Sequence, residues 1–112
     1  MIKENVVIKK NISRKVYEEN GINIYEKIFR PNDIPFWGIT PKVIEMLKRE
    51  KSPYVVKFVW EGHGGIILSP EEMDIMLLNR KIAKNGDYKI NKCDFEKYKI
   101  NANWEYSITN KL

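Results

Sequence analysis

The stretch Tyr54-Val55-Val56-Lys57-Phe58-Val59-Trp60-Glu61-Gly62-His63-Gly64-Gly65-Ile66-Ile67-Leu68-Ser69-Pro70-Glu71-Glu72 decides the fold. Its first seven residues read as a strand, because β-branched and aromatic side chains suit the pleated backbone. Successive side chains alternate between faces, so Tyr54, Val56, Phe58 and Trp60 share one face. The other face holds Val55, Lys57 and Val59 and is mostly apolar too, which predicts a central strand. Glu61-Gly62-His63-Gly64-Gly65 turns the chain, and Ile66-Ile67-Leu68 continues as a partner strand. Ser69-Pro70-Glu71-Glu72 then starts a helix, with Ser at the cap, Pro at the first helical position and Glu closing a capping box. Met73, Met76, Leu77 and Ala83 follow at or near helical spacing, and Ile75, Leu78 and Ile82 widen the stripe. The helix is predicted to end at Asn85-Gly86.

Upstream, Thr40-Pro41 opens a second helix, with Val43, Ile44 and Leu47 on its inner face. Lys48, Arg49 and Lys51 close it, where cations complement the helix dipole. Ser52-Pro53 stops it. Residues 30–41 contain three prolines, Pro31, Pro35 and Pro41, and are predicted to form a loop. Phe36 and Trp37 inside that loop either plug the end of the core or present an aromatic platform. Asn20-Gly21 between apolar-rich flanks predicts a hairpin over residues 16–25, because both residues tolerate positive φ. Asn5-Val6-Val7-Ile8 reads as a short strand.

Downstream, residues 94–99 read as a short helix capped by Asp94, and the alternation of Trp104, Tyr106 and Ile108 reads as a final strand. Tyr-Lys-Ile-Asn occurs at 88–91 and again at 98–101, but a single four-residue echo does not make a repeat architecture. The order of strands, helix, strands, helix, strand predicts an α+β fold. The expectation is a single compact domain over residues 1–112, with a mostly antiparallel sheet and two main helices. Its core is predicted to include Val43, Leu47, Val56, Phe58, Ile67, Met73, Met76 and Leu77.

The 112 residues are 43% hydrophobic, too apolar for a disordered chain. One Cys excludes an intrachain disulfide framework and a multi-Cys zinc site. The longest apolar runs, such as Ile75-Met76-Leu77-Leu78, fall far short of a membrane span. No long apolar segment follows the N-terminus, so no secretory signal is visible and a cytoplasmic protein is expected.

The net charge is +5, which draws a protein toward polyanions. The excess lies in the first half: residues 1–30 carry 7 cations against 4 anions, and residues 31–60 carry 5 against 3. Only four cations are Arg (Arg14, Arg30, Arg49 and Arg80), the residue that grips phosphate in a bidentate way. The 16 Lys, with 16 Ile and 11 Asn, also match the coding bias of an AT-rich genome.

Conventional catalytic motifs are absent from the sequence. His63 and Cys93 are the raw material of a nucleophile pair, yet no signature surrounds either. His63 reads as an exposed turn residue and Cys93 as a small, half-buried one. Gly62-His63-Gly64-Gly65 has the G-x-x-G spacing of a KH loop, but that loop joins two helices, and here the glycines join two strands. No zinc spacing, phosphate-binding loop or dinucleotide fingerprint is present. No metal and no cofactor are expected.

The layout of Tyr54–Val59 followed by Ile66–Glu72 is similar to that of small nucleases of the archaeal Holliday-junction-resolvase kind, within the PD-(D/E)xK group. That resemblance implies Lys57 as the lysine of the motif and Asp33 as its earlier aspartate. The family's acid two residues before the lysine is replaced by Val55, which leaves Glu71 as a substitute.

Binding is favoured over catalysis. The leading expectation is a small basic, non-enzymatic, nucleic-acid-associated accessory protein. Lys9, Lys10, Arg14, Lys15, Lys48, Arg49 and Lys51 are its candidate phosphate contacts, Trp37 or Trp60 its candidate stacking residue, and His63 a further candidate nucleic-acid contact. One alternative is a protein-interaction module, an inhibitor or assembly factor of a phage or other mobile element, docking through Phe36 and Trp37. The other is a degenerate nuclease of the kind just named.

Overall fold

In the computed structural model, residues 6–30 and 34–97 are described. The strand that decides the fold is β5 (Tyr54–Trp60), the fifth of seven among the described residues. The order is β1 (Val6–Ile8), β2 (Val16–Glu19), β3 (Ile22–Phe29), β4 (Phe36–Ile39), α1 (Pro41–Arg49), β5, β6 (Gly64–Leu68), α2 (Pro70–Leu77), β7 (Tyr88–Asn91) and α3 (Lys92–Lys97). A five-stranded sheet runs β1-β2-β3-β5-β6, and β4 pairs with β7 in a separate two-stranded ribbon. The architecture is α+β, with a mostly antiparallel sheet and two main helices, as the element order predicts.

Local chemistry explains most of these elements. Asn20 (φ 53°) and Gly21 (φ 80°) make the β2–β3 turn, where two consecutive positive φ values match the strand twist. Pro41 and Pro70 occupy the first turns of α1 and α2. At α2 the Ser69 hydroxyl accepts the Glu72 amide at 3.2 Å, and the Glu72 carboxylate accepts the Ser69 amide at 2.9 Å. The capping box is therefore complete.

One pairing does not come from a hairpin. β3 and β5 run parallel, with Tyr25 beside Val56 and Glu26 beside Lys57. The segment between them, β4 and α1, forms the crossover that a parallel pair requires.

One face of the sheet packs against the helices and the β4–β7 ribbon. Val16, Tyr25, Val56, Phe58, Ile66 and Leu68 project there and meet Val43, Ile44 and Leu47 of α1, Met73 and Met76 of α2, and Phe95 of α3. Seven of the eight predicted core residues take part, Leu77 as a partly buried neighbour. Ile67 does not: it is 44% exposed. Leu68 pairs with Val56 and Ile66 with Phe58, so Ile67 is forced onto the opposite face beside Lys57.

Three further expectations are corrected. The proline-rich loop contains β4, whose Trp37 and Ile39 pair with Ile90 and Tyr88 of β7. None of its prolines lies within the four paired residues, so no ladder donor is lost. Helix α2 stops at Leu77 rather than near Asn85. Asn79 turns left-handed (φ 59°), and Leu78 and Ile82 remain 67% and 53% exposed, with no core to hold a longer helix. Arg80 fixes this early end by donating from Nε to the Met76 carbonyl at 3.0 Å and from Nη1 to the Lys89 carbonyl at 2.9 Å. The last helix starts at Lys92, two residues before the predicted cap. Asp94 lies inside it and reaches back to accept the Asn91 amide at 2.7 Å. The expected final strand at Trp104, Tyr106 and Ile108 lies outside the described residues. Among the described residues, no helix is long and apolar enough to cross a membrane.

Candidate nucleic-acid interface

β3 is eight residues long and β2 only four, so the second half of β3 extends beyond its hairpin partner. The Glu26 amide donates to the Lys15 carbonyl at 2.9 Å, which holds the chain before β2 alongside this projecting end. The result is a cavity of about 280 Å³ lined by Ile8, Arg14, Lys15, Tyr17, Glu26, Lys27, Ile28 and Arg30. Four lining residues are cations. The single acid among the described lining residues, Glu26, is engaged by Lys57 at 3.1 Å.

Burial pushes the Lys27 ammonium below its ordinary value, Asp87 opposes that shift, and the Lys15 charge adds to it. Arg30 holds Glu61 at 3.2 Å, linking the cavity to the β5–β6 turn. Tyr17 forms part of the wall, and its phenol is pushed up to about 12, first by burial and then by the charges of Glu26 and Glu19.

That shift sets a pH window. Below about pH 10 the phenol keeps its proton in both the folded and unfolded chain, so its contribution to stability is fully present. Between about pH 10 and 12 the unfolded chain loses the proton first, and stability falls as the pH rises. Tyr25 and Tyr54 are also raised, chiefly by burial, and act in the same direction. Urea midpoints are expected to hold up to about pH 10 and then fall, with a shallower fall in Tyr17→Phe. Identical alkaline profiles for the two proteins would show that Tyr17 titrates freely.

No family model and no curated protein matches the chain. Among solved structures it is similar to Hjc, a Holliday junction resolvase from the archaeal hyperthermophile Archaeoglobus fulgidus, with a TM-score of 0.43 and 9% identity. The match covers 73% of this chain and 64% of that protein. At this level the likeness assigns no activity to the chain.

The ten sequence candidates do not converge on one surface. Arg14 and Lys15 line the cationic cavity. Trp60 and His63 meet at the β5–β6 turn, stacked at 3.9 Å with 21° between their planes, and the Lys92 ammonium is 5.1 Å from the Trp60 ring centre. Lys9 is held by Glu18 at 3.5 Å and Glu50 at 3.7 Å, tying the first hairpin to the end of α1. Lys48 binds Asp74 at 2.8 Å across α1 and α2. Lys10, Arg49 and Lys51 are exposed and lie outside the cavity lining.

Trp37 is a core residue. It is 2% exposed and donates from Nε1 to the Val59 carbonyl at 3.0 Å. It therefore offers no face to a base or a partner protein. Phe36, the preceding residue of β4, alternates to the other face and is 47% exposed. Cys93 is exposed rather than half-buried.

Of the nuclease constellation, the two described residues, Lys57 and Glu71, do not meet. Lys57 leaves the sheet on the face opposite the helices and pairs with Glu26. Glu71 begins α2, which packs on the helix face, so sheet backbone separates the two. Asp33 lies outside the described residues. Among the described residues, no three His, Cys, Asp or Glu side chains gather into a metal-binding group.

Lys27 and Arg30 were missed by the sequence reading. The signal for Lys27 was parity: it follows Tyr25 and precedes Phe29 on the helix-facing side of β3, where a Lys is out of place unless it borders an opening.

Proposed function

We propose that the protein is a small, non-enzymatic nucleic-acid-binding accessory factor that takes phosphate backbone into the cavity of Arg14, Lys15, Lys27 and Arg30. The observation that carries this reading is the gathering of four cations around one cavity where the only acid among the described lining residues is already paired. Burial lowers the Lys27 ammonium first and the Lys15 charge adds to it, so a charge brought into the cavity by a polyanion is favourable to both. Two of the four Arg residues in the chain are here, and their forked donors suit phosphate oxygens. The Arg30–Glu61 contact leads from the cavity to the stacked Trp60 and His63, which supports a backbone track continuing past the β5–β6 turn.

The test is fluorescence anisotropy with labelled DNA and RNA oligonucleotides, beginning at ~50 mM salt. Affinity is expected to fall linearly on a log–log plot against salt. The double variant Arg14→Ala/Lys15→Ala is expected to bind more weakly and to reduce the slope by about 1 for each lost phosphate contact. No binding at low salt, or an unchanged slope in the variant, would overturn the proposal.

A further inference from the structure

We infer that the nucleic acid taken up is single-stranded, and that one unpaired base is held in a slot between Phe36 and the 83–89 segment. This rests on the nucleic-acid reading above and extends it to a second cavity that faces the same end of β3.

The slot has a volume of about 300 Å³, and its wall includes Phe36, Ala83, Asp87, Tyr88 and Lys89. That is the lower end of the range for small-molecule pockets, roughly 300–1,000 Å³, and suits one flat ring better than a large ligand. Phe36 supplies the aromatic surface. It is fixed from behind by Phe29, ring centres 5.4 Å apart, so an exposed ring is rigidly presented. The Lys89 ammonium lies 4.8 Å from the centre of the Phe36 ring. The ammonium lies over the ring, so a base that stacks on that face displaces it toward the adjoining phosphate. Gly38 forms the floor. A Cβ there would come 3.1 Å from the Asp87 Oδ2, so the absence of a side chain lets the Asp87 carboxylate sit at the wall as a hydrogen-bond acceptor.

The slot and the cationic cavity are neighbours. Lys27 lines the cavity, and Asp87, in the slot wall, acts on its charge. Phe29 of β3 touches Phe36 directly, one residue before Arg30. Backbone cations therefore lie on one side of the β3 end, and an aromatic slot flanked by Lys84 and Lys89 on the other. A duplex keeps its bases stacked inside and cannot fill the slot. A single strand supplies phosphate to the first and a base to the second.

The deciding experiment compares wild type, Phe36→Ala and Phe36→Leu on a single-stranded oligonucleotide and its duplex, with 2-aminopurine in the single strand as the stacking probe. Wild type is expected to prefer the single strand and to quench the probe. Phe36→Ala is expected to lose on the order of tenfold in single-strand affinity, to abolish quenching, and to leave duplex affinity and the salt slope unchanged. Phe36→Leu keeps the apolar wall without the ring and is expected to lose quenching likewise. Equal affinity for both forms, or a Phe36→Ala variant that binds and quenches like wild type, overturns the slot while leaving the cationic cavity standing. Absence of binding to either form overturns both.

Discussion

Trp37→Ala is expected to remove a large share of the folding free energy of this protein. The indole packs edge-to-face on Phe58 at 5.5 Å and on Phe95 at 5.9 Å, and it lies 6.4 Å from Phe29. It thus joins β3, β4, β5 and α3 at one point. Truncating a buried Trp costs about 3–5 kcal/mol, against a total stability of about 5–15 kcal/mol for a typical domain. Trp37→Phe keeps an aromatic ring but removes the donor to the Val59 carbonyl. Its cost should be smaller, about 1–3 kcal/mol. Urea unfolding monitored by circular dichroism ranks the two variants. A Trp37→Ala protein with a wild-type midpoint would mean that the ring is not in the core.

The second large effect lies in the link between Arg80 and Asp94. The Nη2 of Arg80 is 3.0 Å from Asp94, with side-chain exposures of only 15% and 8%. The same guanidinium holds the carbonyls of Met76 and Lys89, and the same carboxylate holds the Asn91 amide. Asp94→Ala takes the Asp94 carboxylate away from a largely buried guanidinium and from the Asn91 amide. Breaking a buried pair in this way costs about 3–5 kcal/mol. Arg80→Ala should be comparably damaging. The double variant Arg80→Met/Asp94→Leu should recover part of the loss, because no orphaned charge remains. A double-mutant cycle in urea measures the coupling; strict additivity of the single losses would show that the pair does not interact.

These two anchors differ in how far the sequence announces them. Trp37 sits in a proline-rich stretch, and only its size hinted at burial. The Arg80–Asp94 link joins residues with no periodic relation, so no local pattern predicts it. What was legible was local. Asn20-Gly21 specifies its own turn, Thr40-Pro41 and Ser69-Pro70 their own helix starts, and the alternation over Tyr54–Trp60 its own faces. The run Ile66-Ile67-Leu68 is apolar at every position and carries no parity, so Ile67 was assigned to the core when pairing with β5 puts it outside. The stop of α2 was illegible for a related reason. Its apolar stripe continues past Leu77, but only the tertiary structure determines whether a core continues with it.

The candidate interface was half legible. Arg14 and Lys15 stood out as part of a basic first half, and Phe36 as an aromatic in a loop. Their companions Lys27, Arg30, Asp87 and Lys89 are spread over more than sixty positions of sequence and meet only because β3 outruns β2 and β4 returns to β7. The Lys-rich composition also blurred the signal, since most of the charge excess answers to ion pairs or open solvent.

The parallel contact of β3 with β5 has a kinetic meaning. Every other contact within the five-stranded sheet joins strands that are consecutive in sequence, whereas this one closes over the whole of residues 30–53. Two meanders, β1-β2-β3 and β5-β6, can each form from neighbouring residues, but the centre of the sheet waits on the β4–α1 crossover. Closing that loop before its contacts are made is the entropic barrier of the fold. The seam between Tyr25 and Val56 thus carries the loop-closure cost that the two locally connected parts of the sheet do not.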